Sequence, residues 1–234
     1  MASIQGDLIA LNKPNHYALI VLGVLLWLTL VDCHAQQERH DHSCTFDVAG
    51  AFATPKGEDG HNFDRRGSGV QAGGGFAISI PKDPDRGNSY FITANFMYEK
   101  FKATVAALAL AKESNPTQLA NATSAHGAFT TVTLDPTVRH SFGRRFSVYG
   151  LGGFGWMRRG VGFNGANPAT LLQSNGVSLD RLVSNSGAFD FGVGGNFAPR
   201  KLGGFMLFVE GRVYRGLAVN GGSTLLPLSL GVRW

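Results

Sequence analysis

The sequence predicts an all-β chain closed into an antiparallel, up-and-down, eight-stranded transmembrane β-barrel. Three observations carry this expectation. The last stretch alternates with a period of two: Trp234, Val232, Leu230, Leu228 and Leu226 share one side, Arg233, Gly231, Ser229 and Pro227 the other. A strand of about ten residues, apolar outward, polar inward and aromatic at the water boundary, fits a barrel strand in a bilayer. Six of the seven earlier stretches repeat the pattern. The connections between them alternate in length, long after strands one, three and five and short after two, four and six, with the one after strand seven short as well.

The chain has 234 residues, 44% of them hydrophobic and 16% charged, with 32 glycines and 9 prolines. Mean hydropathy is +0.00, so length and composition allow one domain of many short strands. The only long apolar run, Tyr17 to Val31, follows a polar leader with Lys13 and precedes Cys33-His34-Ala35. That order reads as a secretory signal peptide, residues 1–35, rather than a membrane anchor; Asp32 sits where a lipobox requires a small residue. Residues 36–43 read as a short periplasmic tail and 44–234 as the barrel. Removing 1–35 takes away Lys13, Asp7 and Asp32 and leaves a net charge of +6. A basic exported chain suits anionic lipid or lipopolysaccharide, with no nucleic-acid partner expected. Cleavage would leave Cys44 as a lone thiol. His40 and His42 precede it, but the zinc or copper chemistry they would offer lacks a fourth ligand nearby, so no metal is expected.

Strand one sets Phe46, Val48, Gly50 and Phe52 against Thr45, Asp47, Ala49 and Ala51, and a charged loop, Pro55 to Arg66, follows. Strand two puts Val70, Ala72, Gly74, Phe76, Ile78 and Ile80 on one side before the turn-rich Pro81 to Asn88. Strand three has Tyr90, Ile92, Ala94, Phe96 and Tyr98 outward and Thr93, Asn95, Met97 and Glu99 inward, with Phe91 breaking the pattern. A connection from Lys102 to Ala125 begins with a segment that fits either more strand or a helical turn. Strand four, about Gly127 to His140, turns Val132, Leu134, Pro136 and Val138 outward; its proline is a blemish that a strand tolerates at a bulge. After the turn Ser141 to Arg145, strand five, Phe146 to about Val161, is too rich in glycine for its facing to be read. The polar loop Asn164 to Ser186 hints at short helical pieces. Strand six opposes Phe189, Phe191, Val193 and Phe197 to Asp190, and Ala198 to Gly204 turns the chain. Strand seven opposes Phe205, Leu207, Val209 and Val213 to Glu210, Arg212 and Tyr214.

In hydrocarbon every backbone polar group needs a partner within the protein, so a spanning sheet must close on itself. An eight-stranded bore is just filled by side chains. The expected lumen charge network is Asp47, Glu99, Asp135, Arg139, Asp190, Glu210, Arg212 and Arg233, both signs pairing to form a plug because burying them unpaired is costly; a proton or ion path is the alternative. Aromatic rings are expected at Phe46, Tyr90, Phe146, Phe197, Phe205 and Trp234 on the periplasmic side and at Phe52, Tyr98, Trp156 and Tyr214 on the outer side. Arg65, Arg66, Lys100, Lys102, Arg158, Arg159 and Arg215 are placed on the outer rim as lipopolysaccharide contacts, since guanidinium groups bind phosphate well; solvated loop charge is the plain alternative.

Signal peptide, eight alternating strands, long outer loops and the aromatic carboxyl end resemble the small outer-membrane β-barrel family typified by the transmembrane domain of outer membrane protein A. The likeness covers residues 44 to 234. It implies an envelope protein of structural, adhesive or protective role, without a cofactor; a monomer is expected, delivered by the barrel-assembly machinery through Leu226 to Trp234. The usual final residue is Phe, and the separate peptidoglycan-binding domain of larger members is not expected. The Gly150-Leu151-Gly152-Gly153-Phe154-Gly155 run fits a dinucleotide fingerprint only if a helix opens there, whereas Trp156, Arg158 and Arg159 continue it as strand. Two rival readings remain. One is a lipid A-modifying barrel enzyme using Ser124, His126 and Glu99 or Glu113; the other is a soluble barrel with its phenylalanines around an apolar ligand.

Overall fold

The computed structural model describes residues 44–57, 59–81, 83, 86–114, 116–165, 183–199, 205–217 and 222–234. The expected signal peptide, the tail with His40 and His42, and the helical pieces expected in the Asn164 to Ser186 loop therefore lie outside the described residues. Cys44 is disulfide-bonded in the full chain, which has two cysteines; the lone thiol was expected of the chain after cleavage.

Eight strands, β1 (Cys44–Lys56), β2 (Gly67–Ser79), β3 (Arg86–Lys102), β4 (Ser124–Phe142), β5 (Phe146–Asn164), β6 (Val183–Phe197), β7 (Met206–Gly216) and β8 (Thr224–Arg233), form a closed barrel in sequence order. The seam is antiparallel pairing of β1 with β8, from Asp47 opposite Arg233 to Lys56 opposite Thr224. The start of β1, the end of β8 and the short turns after β2, β4 and β6 lie at one rim, the long connections at the other. Gly143, at φ +124°, turns the chain between β4 and β5, where a side chain would be strained.

Burial is inverted relative to a water-soluble protein. Phe76, Phe191, Leu207 and Leu230 are 50%, 63%, 41% and 68% exposed, while Asp190, Glu210 and Arg212 are 0%, 1% and 5% exposed. The period-two reading of seven strands is thus correct in its facing. For β5 the structure supplies what glycine concealed: Phe146, Val148 and Phe154 look out, Tyr149, Leu151 and Met157 look in. Pro136 looks outward without a bulge; β4 and β5 pair as Leu134 with Phe154 and resume as Thr137 with Leu151 in the same register. Proline lacks the N–H that one ladder bond needs, and the strand omits that bond. The register shift in the described ladders falls instead at Ala77/Ser79 in β2.

Three short helices cap the long-loop rim: α1 (Asp59–Asn62), α2 (Val105–Ser114) and α3 (Pro116–Leu119). The ambiguous segment after β3 is therefore helical. Thr104 decides it, its Oγ1 accepting from the Ala107 N–H at 3.2 Å as an N-cap.

At the short-turn rim, Trp234 lies between Phe46 and Phe205, ring centroids 6.3 and 6.0 Å apart, and Phe142 stacks on Phe146 at 5.8 Å. At the other rim Tyr98 looks outward, but Tyr214, expected in that ring, is fully buried in the bore. Its position follows from parity with Glu210 and Arg212. Phe91 faces inward for the same reason, beneath the Arg139 guanidinium at 4.4 Å.

Replacing the outward Leu228 by Arg should lower the unfolding free energy in lipid vesicles by about 2–4 kcal/mol. Denaturant titration in vesicles measures it; an unchanged midpoint would mean that this side does not meet acyl chains.

Candidate functional site

The candidate site is the bore, to which every strand contributes a polar side chain. Arg212 on β7 is its hub. Its Nη1 donates to Asp135 Oδ2 on β4 at 2.9 Å, to Asp190 Oδ2 on β6 at 3.0 Å and to the Tyr214 hydroxyl at 3.1 Å. Its Nε donates to Glu210 Oε1. Glu210 also accepts from Gln71 Nε2 on β2 at 2.8 Å and from the Tyr149 hydroxyl on β5 at 2.7 Å. Asn95 Nδ2 on β3 donates to Asp135 at 2.5 Å.

A second centre lies nearer the short-turn rim. Arg233 on β8 donates from Nη2 to Asp47 Oδ2 on β1 at 3.1 Å and from Nη1 to Asn196 Oδ1 at 3.0 Å. It stands 3.9 Å from Glu210 Oε2, which joins the two centres. Its guanidinium is sandwiched between the Tyr149 and Phe208 rings, 4.6 and 4.7 Å from their centroids. Room for these large groups comes from opposite glycines: a Cβ at Gly192 would meet Arg212 Cγ at 2.8 Å, and one at Gly194 would strike the Tyr149 ring.

Toward the long-loop rim the filling changes character. Ala53, Phe63, Met97, Phe101, Phe129, Met157, Ala188, Tyr214 and Leu225 form one buried apolar cluster. Phe101 and Phe129 meet edge-on at 5.4 Å, and Phe63, delivered by the loop after α1, meets Phe129 edge-on at 6.0 Å. On each strand that contributes to both groups, the apolar residue lies nearer the long-loop rim than the polar ones.

The expected network is thus brought together in part. Asp47, Asp135, Asp190, Glu210, Arg212 and Arg233 join; Glu99 and Arg139 do not. Glu99 is fully buried, opposite Gly69 and Phe129, and neither carboxyl oxygen has a hydrogen-bond partner. Arg139 sits over Phe91 and forms no ion pair among the described residues. The neutral members Gln71, Asn95, Tyr149, Asn196 and Ser229 were not counted in the expected network; alternation already turned Asn95 and Ser229 inward, whereas Tyr149 stood in the strand whose facing glycine concealed. Among the described residues no three His, Cys, Asp or Glu side chains are grouped as metal ligands.

The expected outer-rim set also divides. Arg65, Arg66, Lys100, Lys102 and Arg215 are exposed, and Arg158 faces outward half-buried. Arg159 points inward and pairs with buried Asp59 at 3.2 Å, correcting its placement on the rim. The suggested catalytic trio is not assembled with Glu99, which lies on the inner face of the wall whereas Ser124 and His126 lie on the outer. Ser124 Oγ instead accepts from Asn164 Nδ2 at 2.8 Å, and Glu113 is exposed on α2.

An apolar exterior around an ion-paired bore of eight strands defines a small transmembrane β-barrel of the kind found in outer membranes. The chain is similar in fold to the crystal structure of Neisserial surface protein A, with a TM-score of 0.51 at 13% identity over 81% of this chain and 95% of that one. Lesser likenesses include Ail, the attachment invasion locus protein of Yersinia pestis, solved with the heparin analogue sucrose octasulfate (TM-score 0.47, 14% identity, 82% and 98% covered), and the outer membrane protein OprG from Pseudomonas aeruginosa (0.43, 10%, 82% and 95%). No family model and no curated protein matches the sequence.

Arg212→Met would leave three carboxylates without their shared cation and should cost about 3–5 kcal/mol of stability. Glu99→Leu, which removes a buried unpaired acid, should be neutral or stabilising by about 1–3 kcal/mol. Urea unfolding in vesicles, read as the heat-modifiable band shift, separates the two; equal losses would assign Glu99 a partner.

Proposed function

We propose that this is an exported bacterial outer-membrane barrel, closed through its bore, with a structural or surface-interaction role in the cell envelope. Residues 1–35 are the signal peptide, 36–43 a periplasmic tail and 44–234 the embedded barrel. The short-turn rim faces the periplasm and the capped, long-loop rim faces outward. The observation that carries the reading is the inverted burial: phenylalanines and leucines around the outside, carboxylates and guanidiniums within. A soluble ligand-binding barrel requires the opposite facing.

Closure of the bore is supported by the bonds that cross it, Gln71 to Glu210 and Arg212 to Asp135 among them, and by the apolar layer above. The partners are outer-membrane lipid and lipopolysaccharide around the belt and outer rim, and the barrel-assembly machinery reading Leu226 to Trp234; the barrel acts as a monomer and needs no cofactor. Among the described residues, Ser124, His126 and Glu99 are not brought together to support the enzyme reading.

Purified protein should require detergent for extraction from the envelope fraction and run as a compact, faster band unless boiled. In planar bilayers it should show no stepwise conductance at neutral pH. Free solubility in buffer would end the membrane reading, and steady channel openings would end the closed-bore reading.

A further inference from the structure

Of the outward-facing cations, three stand on one wall of the barrel, at the long-loop rim of β3, β4 and β5. Lys102 on β3 is directly opposite His126 on β4, and His126 is opposite Gly162 on β5. One step down, Lys100 is opposite Ala128, and Ala128 is opposite Gly160. Another step down, Tyr98 is opposite Thr130 and Thr130 is opposite Arg158. Lys100, Lys102, His126 and Arg158 therefore ring a floor made of Ala128 and Gly160.

The floor is open. A Cβ at Gly160 would meet nothing within 4 Å, whereas one at Gly162 would meet the His126 ring at 2.8 Å, so the imidazole leans over β5 and leaves the space beside it clear. Two strand spacings, about 10 Å, separate the β3 and β5 backbones, and Arg158 stands two residues lower than the level of Lys100, a gap that their long side chains span from either side. Lys100 is near enough for its charge to act on His126. Among the described residues none of Lys100, Lys102 and Arg158 has a carboxylate partner, and the outward positions of this patch carry no acidic residue.

The geometry points to a phosphate-binding site on the outer wall of the barrel, formed by Lys100, Lys102, His126 and Arg158 over the Ala128 and Gly160 floor, that holds the phosphorylated headgroup of one outer-leaflet glycolipid. Charge complementarity selects an anion. The height of the patch selects a lipid as its bearer: Tyr98, level with Arg158, and Trp156, one step lower opposite Val132, are side chains suited to the headgroup level on the same wall, and the apolar belt continues beneath. A phosphate held here has its acyl chains already against that belt. Arg215, on β7 beside Thr224, is on another wall, and Arg159 is turned inward to Asp59, so neither belongs to the site.

This assignment rests on the membrane reading and deepens it. The test compares the full chain with a Lys100→Gln/Lys102→Gln/Arg158→Gln variant, a Gly160→Leu variant that fills the floor, and Arg215→Gln as control. Each is reconstituted with bisphosphorylated lipid A or with its dephosphorylated form, and retained lipid is counted by native mass spectrometry; the heat-modifiable band verifies folding. Retention of the phosphorylated lipid should fall on the order of tenfold or more in the triple variant. Gly160→Leu should weaken it, while Arg215→Gln should leave it unchanged. Equal retention of the dephosphorylated lipid, no loss in the folded triple variant, or displacement by millimolar inorganic phosphate alone would overturn the headgroup site while leaving the barrel in its membrane. Loss of the heat-modifiable band in the wild-type chain would instead overturn the membrane reading.

Discussion

Everything in this molecule depends on the seam. β1 and β8 close the sheet through the register from Asp47 with Arg233 to Lys56 with Thr224, and beyond it Phe46 and Trp234 exchange both backbone hydrogen bonds at 2.9 Å. In hydrocarbon an unpaired backbone group costs several kcal/mol, so a sheet with an open edge has no stable place there. Closure removes the edge and fixes an inside and an outside. The alternation of side chains then sorts itself, with lipid solvating one set and the bore confining the other.

Confinement explains the bore. Eight strands leave a width that side chains must fill, and the filling is ionic near the seam's terminal residues and apolar near the capped rim. Arg212 satisfies groups from β4, β6 and its own strand, and Arg233 ties β1 to β6 and β8. Such pairs stabilise by avoiding the penalty of buried charge rather than by any large net attraction. Two of the bonds, Arg212 to Asp135 and Arg233 to Asn196, also tie strands that are not adjacent in the sheet. Glu99 and Arg139 show the same rule from the other side, as charged groups that the sheet's parity turns inward without bringing them a counter-ion among the described residues.

Facing was legible in the sequence because it is local: a period of two needs only neighbouring residues, and Phe76, Phe191 and Leu230 stand where alternation puts them. It failed where local information was thin or contradictory. Glycines at 150, 152, 153 and 155 hid the parity of β5, and Phe91 read as an error although it is an inward residue. Tyr214 was judged by its aromatic character instead of its place beside Arg212. Helix α2 was undecidable because a run of Ala, Val and Leu suits strand and helix alike until Thr104 is seen as a cap. Partners across the bore were not legible at all. That Gln71 meets Glu210, 139 residues away, depends on register and strand tilt, which no short window contains.

The two fillings occupy successive heights of the same narrow tube. Barriers stacked in this way oppose passage like resistors in series, so the less permeable segment governs the whole. Damage to the arginine centres alone would still leave Phe63, Phe101 and Phe129 as a dry constriction, and trimming those rings would leave solutes facing fixed charge below. On the closed-bore proposal, leakage would therefore demand two independent lesions, one in each filling.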